Sequence, residues 1–298
     1  MTTIHKDELL NRLQAMDKMP TLPVALAPLL RYLEQPIESL EVQEVVVLIS
    51  RDKSLAAQCL QLANSPLFGR WRTVDSVRGA VVALGMQRMR DIAVSCSVLK
   101  LTPNGKTQLD PTVFWEHSLG CALVCRRFAH KIGFPDPGKA YLAGLLHDVG
   151  IIANLWIVPQ EFGRALDLAR AQHIPLHEAE LSELGITHGD SGRIVSEKWH
   201  LTADLTAVAA CHHFPQDATC DRALVAIVSL SDLLCRMNAL GYGFTEERQV
   251  DFGEQPAMAI LLQEYPVLNE LDWALLTFEL EGYLEEVHRL VTSFYRPQ

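Results

Sequence analysis

Aromatic side chains are scarce in this chain, at 7% of 298 residues, and alternating apolar–polar runs are almost absent. Long Ala/Leu/Val stretches take their place, so the composition favours helix over strand. No uninterrupted apolar run reaches the roughly 18–20 residues that span a bilayer. The first residues, MTTIHKDELLNRLQAMDKM, are polar and charged, with no apolar signal segment behind them. Neither a membrane role nor secretion is expected. The seven cysteines, at 59, 96, 121, 125, 211, 220 and 235, are odd in number. Cys121 and Cys125 lie one helical turn apart rather than in a Cys-x-x-Cys arrangement, and most of the set falls in apolar helical contexts. Reduced core thiols in a cytoplasmic protein are therefore expected, not a disulfide framework. Internal repeats and low-complexity tracts are lacking as well.

The net charge of −10 is unevenly spread. Residues 1–110 carry 13 Lys/Arg against 11 Asp/Glu, and residues 111–298 carry 13 against 25. Within 51–106 the balance is 9 basic to 3 acidic. A basic stretch can serve an anionic partner, yet no aromatic or glycine pattern of a nucleic-acid module accompanies it. A solvated helical face is expected there, and nucleic acid is not expected as a partner.

Pro, Gly, Asn and Asp crowd into LTPNGKTQLDPT, 101–112, which is the best seam. Upstream, apolar positions at three- and four-residue steps predict helices over 38–52, 54–64 and 76–99. Ser39 and Ser54 are candidate N-caps, Asn64-Ser65-Pro66 a stop, and Gly85 a bend or division. Pro20 and Pro23 bracket a short rigid segment. Downstream, helices are predicted over 113–131, 138–149, 159–172, 176–184, 188–199, 203–213, 221–239 and 270–294. The expected fold is all-α, in two helical lobes: residues 1–105 and residues 106–298.

Several polar residues fall where an apolar core is expected. The run GLLHDVGII, 144–152, places His147 beside Asp148, a pair that is costly to bury without partners. His117 lies in FWEHSLGCALVC, His188 opens HGDSGRIVSEKW, and His212-His213 end LTAVAACHH. Asp232 sits in ALVAIVSLSDLLCRM, where a carboxylate needs compensation by a cation. Arg236 one turn on offers one such partner, and a divalent metal another. His5, His130, His173, His177, His200 and His288 lack comparable settings and are read as surface or structural.

The order His117, His147-Asp148, His188, His212-His213, Asp232 resembles the HD superfamily of metal-dependent phosphohydrolases, closest to its HD-GYP and HDOD branches. The N-terminal lobe favours the second: MPTLPVALAPLLRYLEQP, ISRDKSLAAQCLQLANSPLFG and SVRGAVVALGMQRMRD resemble the HDOD family, as do ELGITHGDSGRIVSEKWHL and VAACHHFP. The resemblance implies an HD-like bundle in the second lobe. It also implies one divalent ion held by His117, His147, Asp148 and Asp232, and another by Asp148, His188, His212 and His213. Iron, manganese or zinc suit such ligands.

The chain departs from HD-GYP phosphodiesterases at two points. Ile151 stands where those enzymes have a lysine, and no Gly-Tyr-Pro loop follows the histidine pair. GYG at 241–243 lies beyond Asp232 and is read as a decoy. The expected function is an HDOD signalling module that keeps the metal site but lacks cyclic-dinucleotide phosphodiesterase activity, with a protein partner in signalling. The alternatives are a phosphohydrolase acting on some other phosphoester, with Arg193 and Lys198 as candidate phosphate cations, and a metal-free interaction scaffold.

Overall fold

A computed structural model of the chain describes residues 6–15, 28, 41–68, 73–103, 107–247 and 250–295. Every described element is α or 3-10 helix, with no strand among them, as the composition predicts. Two compact units result. One comprises Met1–Pro20 with Thr102–Glu281, the other Thr21–Leu101 with Gly282–Gln298.

The second unit contains the helices Val42–Ser50, Lys53–Ala63, Val77–Leu84 and Met86–Val98. Asp52, rather than Ser54, caps the second of these: its carboxylate accepts from the N–H groups of Ser54 at 2.8 Å and Leu55 at 3.0 Å. An ionised carboxylate also complements the positive end of the helix dipole, which a hydroxyl does not. The side chain of Asn64 exchanges two hydrogen bonds with the backbone of Val74 and so fixes the turn after this helix. Gly85, at φ +86°, divides the predicted 76–99 segment into two helices. The candidate cap Ser39 and the segment around Pro20 and Pro23 lie outside the described residues.

The first unit holds the helices that carry the polar constellation. The predicted helix over 138–149 stops early: Pro137–Leu146 ends at the His-Asp doublet, and a new helix, Val149–Ile157, begins after it. Asp148, at φ −96° and ψ 17°, leaves helical geometry, so the doublet is a corner between two apolar helices. The stretch Pro137–Ile157 is long and apolar enough to cross a membrane by composition, and 94% of its apolar window is buried within the protein. The N-terminal helix Lys6–Ala15 also belongs to this unit. Its Leu9 and Leu13 are buried against Val149, Ala153, Ile157 and Val195, and Arg12 pairs with Glu161 at 2.9 Å.

Glycines bring the helix backbones unusually close. A Cβ at Gly150 would lie 1.9 Å from the His188 carbonyl oxygen and 2.6 Å from the Gly192 nitrogen. On the facing helix His188–Lys198, a Cβ at Gly189 would meet the Ala210 carbonyl at 2.6 Å. A Cβ at Gly144 would meet Cys125 Sγ at 2.7 Å. These contacts set the distance between the elements that bear His188, His147 and His117. Replacing Gly150 by Ala should therefore destabilise the unit by about 1–3 kcal/mol or more through overpacking. Gly282→Ala, into open space on the helix Trp273–Tyr295, should gain about 0.5–1 kcal/mol. Urea titration of both variants checks this, and equal effects would contradict it.

Candidate metal centre

The structure brings the seven predicted residues to one place. His117 comes from the middle of the helix Pro111–Ile132, and His147 and Asp148 from the corner. His188 is the first residue of its helix, His212 and His213 follow Ala203–Cys211, and Asp232 lies on Arg222–Met237. His117, His147, Asp148 and His188 are fully buried, and His212 and Asp232 are 1% exposed.

Each of four imidazoles is oriented through Nδ1. That nitrogen lies 2.6 Å from the Leu240 carbonyl for His117, 2.7 Å from Gly144 for His147 and 3.0 Å from Val208 for His212. For His188 the partner is Glu180 Oε2 at 2.6 Å, which also accepts the His188 backbone N–H at 2.8 Å. Carbonyl and carboxylate oxygens only accept, so every Nδ1 carries a proton and every Nε2 points into the cluster. The Nε2 atoms of His117 and His147 then stand 3.2 Å apart, and those of His188 and His213 2.8 Å apart. Facing nitrogen lone pairs repel one another unless a proton or a cation lies between them.

Asp148 is the bridge. Its Oδ2 lies 3.4 Å from His117 Nε2 and 3.2 Å from His147 Nε2, while Oδ1 lies 3.3 Å from His188 Nε2 and 3.4 Å from His212 Nε2. Oδ1 is buried without a hydrogen-bond partner, which is costly for a charged oxygen unless a cation faces it. Two groups of donor atoms share this residue: His117, His147 and Asp148, and Asp148, His188, His212 and His213, each within 4.8 Å of one another. Their imidazole and carboxylate chemistry fits a divalent transition metal.

Asp232 stands at the edge of the cluster. Its Oδ1 is 3.3 Å from His117 Nε2, and both its oxygens accept from Arg236 Nε, at 3.0 and 3.2 Å. The arginine thus supplies much of the compensation that this carboxylate needs. Arg193 and Lys198 are exposed instead: Arg193 reaches Glu197 at 3.2 Å, and Lys198 the Ala15 carbonyl at 3.4 Å. Ile151 is fully buried where a phosphate-side lysine would stand.

Three participants escaped the sequence reading. Tyr242, in the GYG set aside as a decoy for the Gly-Tyr-Pro loop, reaches the cluster all the same: its hydroxyl donates to Asp148 Oδ2, and its ring lies 4.8 Å from that of His117. Glu180 orients His188 and is itself held by Asn154 Nδ2 at 3.2 Å, whose Oδ1 accepts from Ser191 Oγ at 2.7 Å. His177 is buried, not on the surface, and stacks on His213 at 3.9 Å between ring centroids.

Protonation follows from these neighbours. Burial works against a charge on His117, but its hydrogen bonds to the Asp148 and Asp232 carboxylates, with their negative charge, outweigh it and raise its pKa well above the usual imidazole value. For His188, burial is likewise overcome, by Glu180 and Asp148, to about 10. Burial pushes His212 and His213 down, toward the neutral form that binds metal.

The described helices, with a His-Asp doublet between two imidazole sets, form an HD-like fold. The HDOD domain model matches residues 19–215, more than half of the chain, and the chain belongs to that family. A crystal structure of an HDOD domain protein of unknown function from Geobacter sulfurreducens is 27% identical, with a TM-score of 0.83 over 98% of this chain and 99% of that one. A protein from Shewanella amazonensis SB2B, provisionally named a phosphohydrolase, shares the fold at 22% identity, with a TM-score of 0.70 over 95% and 97% of the two chains. A provisionally named signal transduction protein from Marinobacter aquaeolei VT8 shares it at 19% identity and a TM-score of 0.75, over 98% of this chain and 66% of that one. An uncharacterized protein of Treponema pallidum is 23% identical over 226 residues, or 74% of this chain. The chain spans only 43% of that relative's length.

Two outcomes are expected of chelator-stripped protein. Metal uptake near pH 7 should release protons from His117 and His188, so affinity should rise with pH toward about 10, the value for His188. Calorimetry in buffers of different ionisation enthalpy measures this, and pH-independent affinity would contradict it. Glu180→Gln should weaken metal binding by about 10–100-fold, because the group that fixes the His188 tautomer is lost. Competition against a chelator reads that ratio, with the exposed neighbour Glu178→Gln as the control.

Proposed function

We propose that this chain is an HDOD signalling module whose first unit holds one or two divalent ions, iron, manganese or zinc, as a structural or regulatory centre. One ion would be held by His117, His147 and Asp148 with Asp232 alongside, the other by Asp148, His188, His212 and His213. On this reading the centre does not hydrolyse cyclic dinucleotides, and its state is read by a protein partner in the cytoplasm.

The observation that carries this reading is the closure of the site. Asp148 and Asp232 are almost fully buried, and each is engaged on a second side, by Tyr242 and by Arg236. Closed ligand sets are the mark of structural metal sites, whereas catalytic ones keep an open position. Tyr242 and the stacked pair His177–His213 pack against the cluster, while Glu180 and the backbone carbonyls hold the imidazoles in register.

A second reading, a phosphohydrolase acting on an unidentified phosphoester, is favoured by Asp148, which presents one oxygen to each imidazole set. The name of the Shewanella protein points the same way. A bound metal would there polarise a water or phosphoryl oxygen as a Lewis acid. Phosphomono- and phosphodiesters, cyclic dinucleotides included, separate the two when tested on protein loaded with manganese or iron. The first reading expects no turnover above that of Asp148→Ala; turnover that Asp148→Ala abolishes would replace it with the second.

A further inference from the structure

After the helix Arg222–Met237 the chain runs without helix from Ala239 to Glu247 and crosses the metal centre. Leu240 is its fixed end. The Leu240 carbonyl accepts from His117 Nδ1 at 2.6 Å, and its buried side chain packs so closely on Gly120 that a Cβ there would lie 2.5 Å from Leu240 Cδ1. Beyond Leu240, Tyr242 is buried with its ring beside His117, and the remaining contacts with the centre are polar. Tyr242 donates to Asp148, and Glu246 accepts from Arg236 Nη1, on the same guanidinium that holds Asp232 through Nε. The far end is fastened at the surface. His173 Nδ1 donates to the Thr245 carbonyl at 3.0 Å, and the Glu247 N–H donates to the His173 carbonyl at 2.8 Å.

The backbone of this segment is bent at defined points. Ala239 has φ +62°, a left-handed conformation that a Cβ disfavours, and Gly243 has φ +83°. The strained backbone at Ala239, beside an ion pair whose outer member is partly exposed, suits a segment with two positions. Glu246 is also the replaceable member of its ion pair. Asp232 is 1% exposed on a core helix, whereas the Glu246 side chain is 14% exposed and lies on the crossing segment. A guanidinium takes a phosphate-type oxyanion in the same fork that takes a carboxylate.

We propose that Ala239–Glu247 is a latch over the metal centre, in which Glu246 occupies on Arg236 the place of an external phosphate-type oxyanion and Tyr242 covers Asp148. Release of 241–247, hinged at Ala239–Leu240, opens the centre to such a ligand. The latch rests on the metal-centre reading above and supplies its regulation.

Metal-loaded full-length protein tests it with two readouts, amide hydrogen exchange in 241–247 and binding of inorganic phosphate by calorimetry. Glu246→Gln keeps the shape of the side chain and removes its charge. It should speed exchange in 241–247 by about tenfold and tighten phosphate binding by about tenfold over wild type. His173→Gly keeps the left-handed turn, deletes only the imidazole contact to Thr245, and should move both readouts in the same direction by less. Exchange unchanged within about twofold in both variants, or opening without any gain in phosphate binding, overturns the latch. Metal content measured on the same samples keeps the two proposals apart. Wild type that takes up no metal refutes the metal-centre reading, and the exchange rates still decide the latch because they report backbone opening alone.

Discussion

One carboxylate governs this structure. Asp148 is fully buried, with one oxygen toward His117 and His147 and the other toward His188 and His212. An ionised carboxylate at such depth costs several kcal/mol, roughly, without compensating charge. Much of the packing around it serves that compensation. The corner at His147-Asp148 turns the carboxylate out of the helix, and Gly150 lets the backbone of His188–Lys198 approach near enough to present His188. Backbone carbonyls and Glu180 then aim each Nε2 inward.

A further layer of polar groups holds that layer in place. Ser191, Asn154 and Glu180 form a buried chain ending on His188, and each member satisfies the next. Such a network is worth its burial only when it is complete. Asp232 with Arg236 and Glu246 forms a second chain at the cluster. The two chains together account for why a donor set of this kind can remain rigid inside an apolar unit.

Most of the helices were legible in the sequence. Pro159 and Pro175 mark the starts of the helices over 159–172 and 176–184, and His173 and Gly185 end them in left-handed conformations. The break at the doublet was not legible, because apolar side chains continue on both sides and hide a two-residue corner. The nine-residue helix Pro256–Glu264 was missed in a region that offered only generic amphipathic pattern. In the site, all seven ligand candidates stood out as polar residues in apolar settings, and the cluster contains them. Glu180 did not stand out, since Glu178, Glu180 and Glu183 share one short helix and only its packing buries the middle one. Tyr242 was passed over because the direction of its hydroxyl, set by the left-handed backbone at Ala239 and Gly243, leaves no mark on composition or spacing.

The central question is whether Asp148 joins two sets of metal donors. The most direct measurement is metal per chain by elemental analysis, for wild type and Asp148→Asn purified and reconstituted identically. The substitution keeps the size of the side chain and removes its charge. Wild type should hold one or two equivalents of iron, manganese or zinc, and Asp148→Asn should hold none or distinctly less. Wild type that binds no metal, or a variant that binds as much as wild type, would contradict the account.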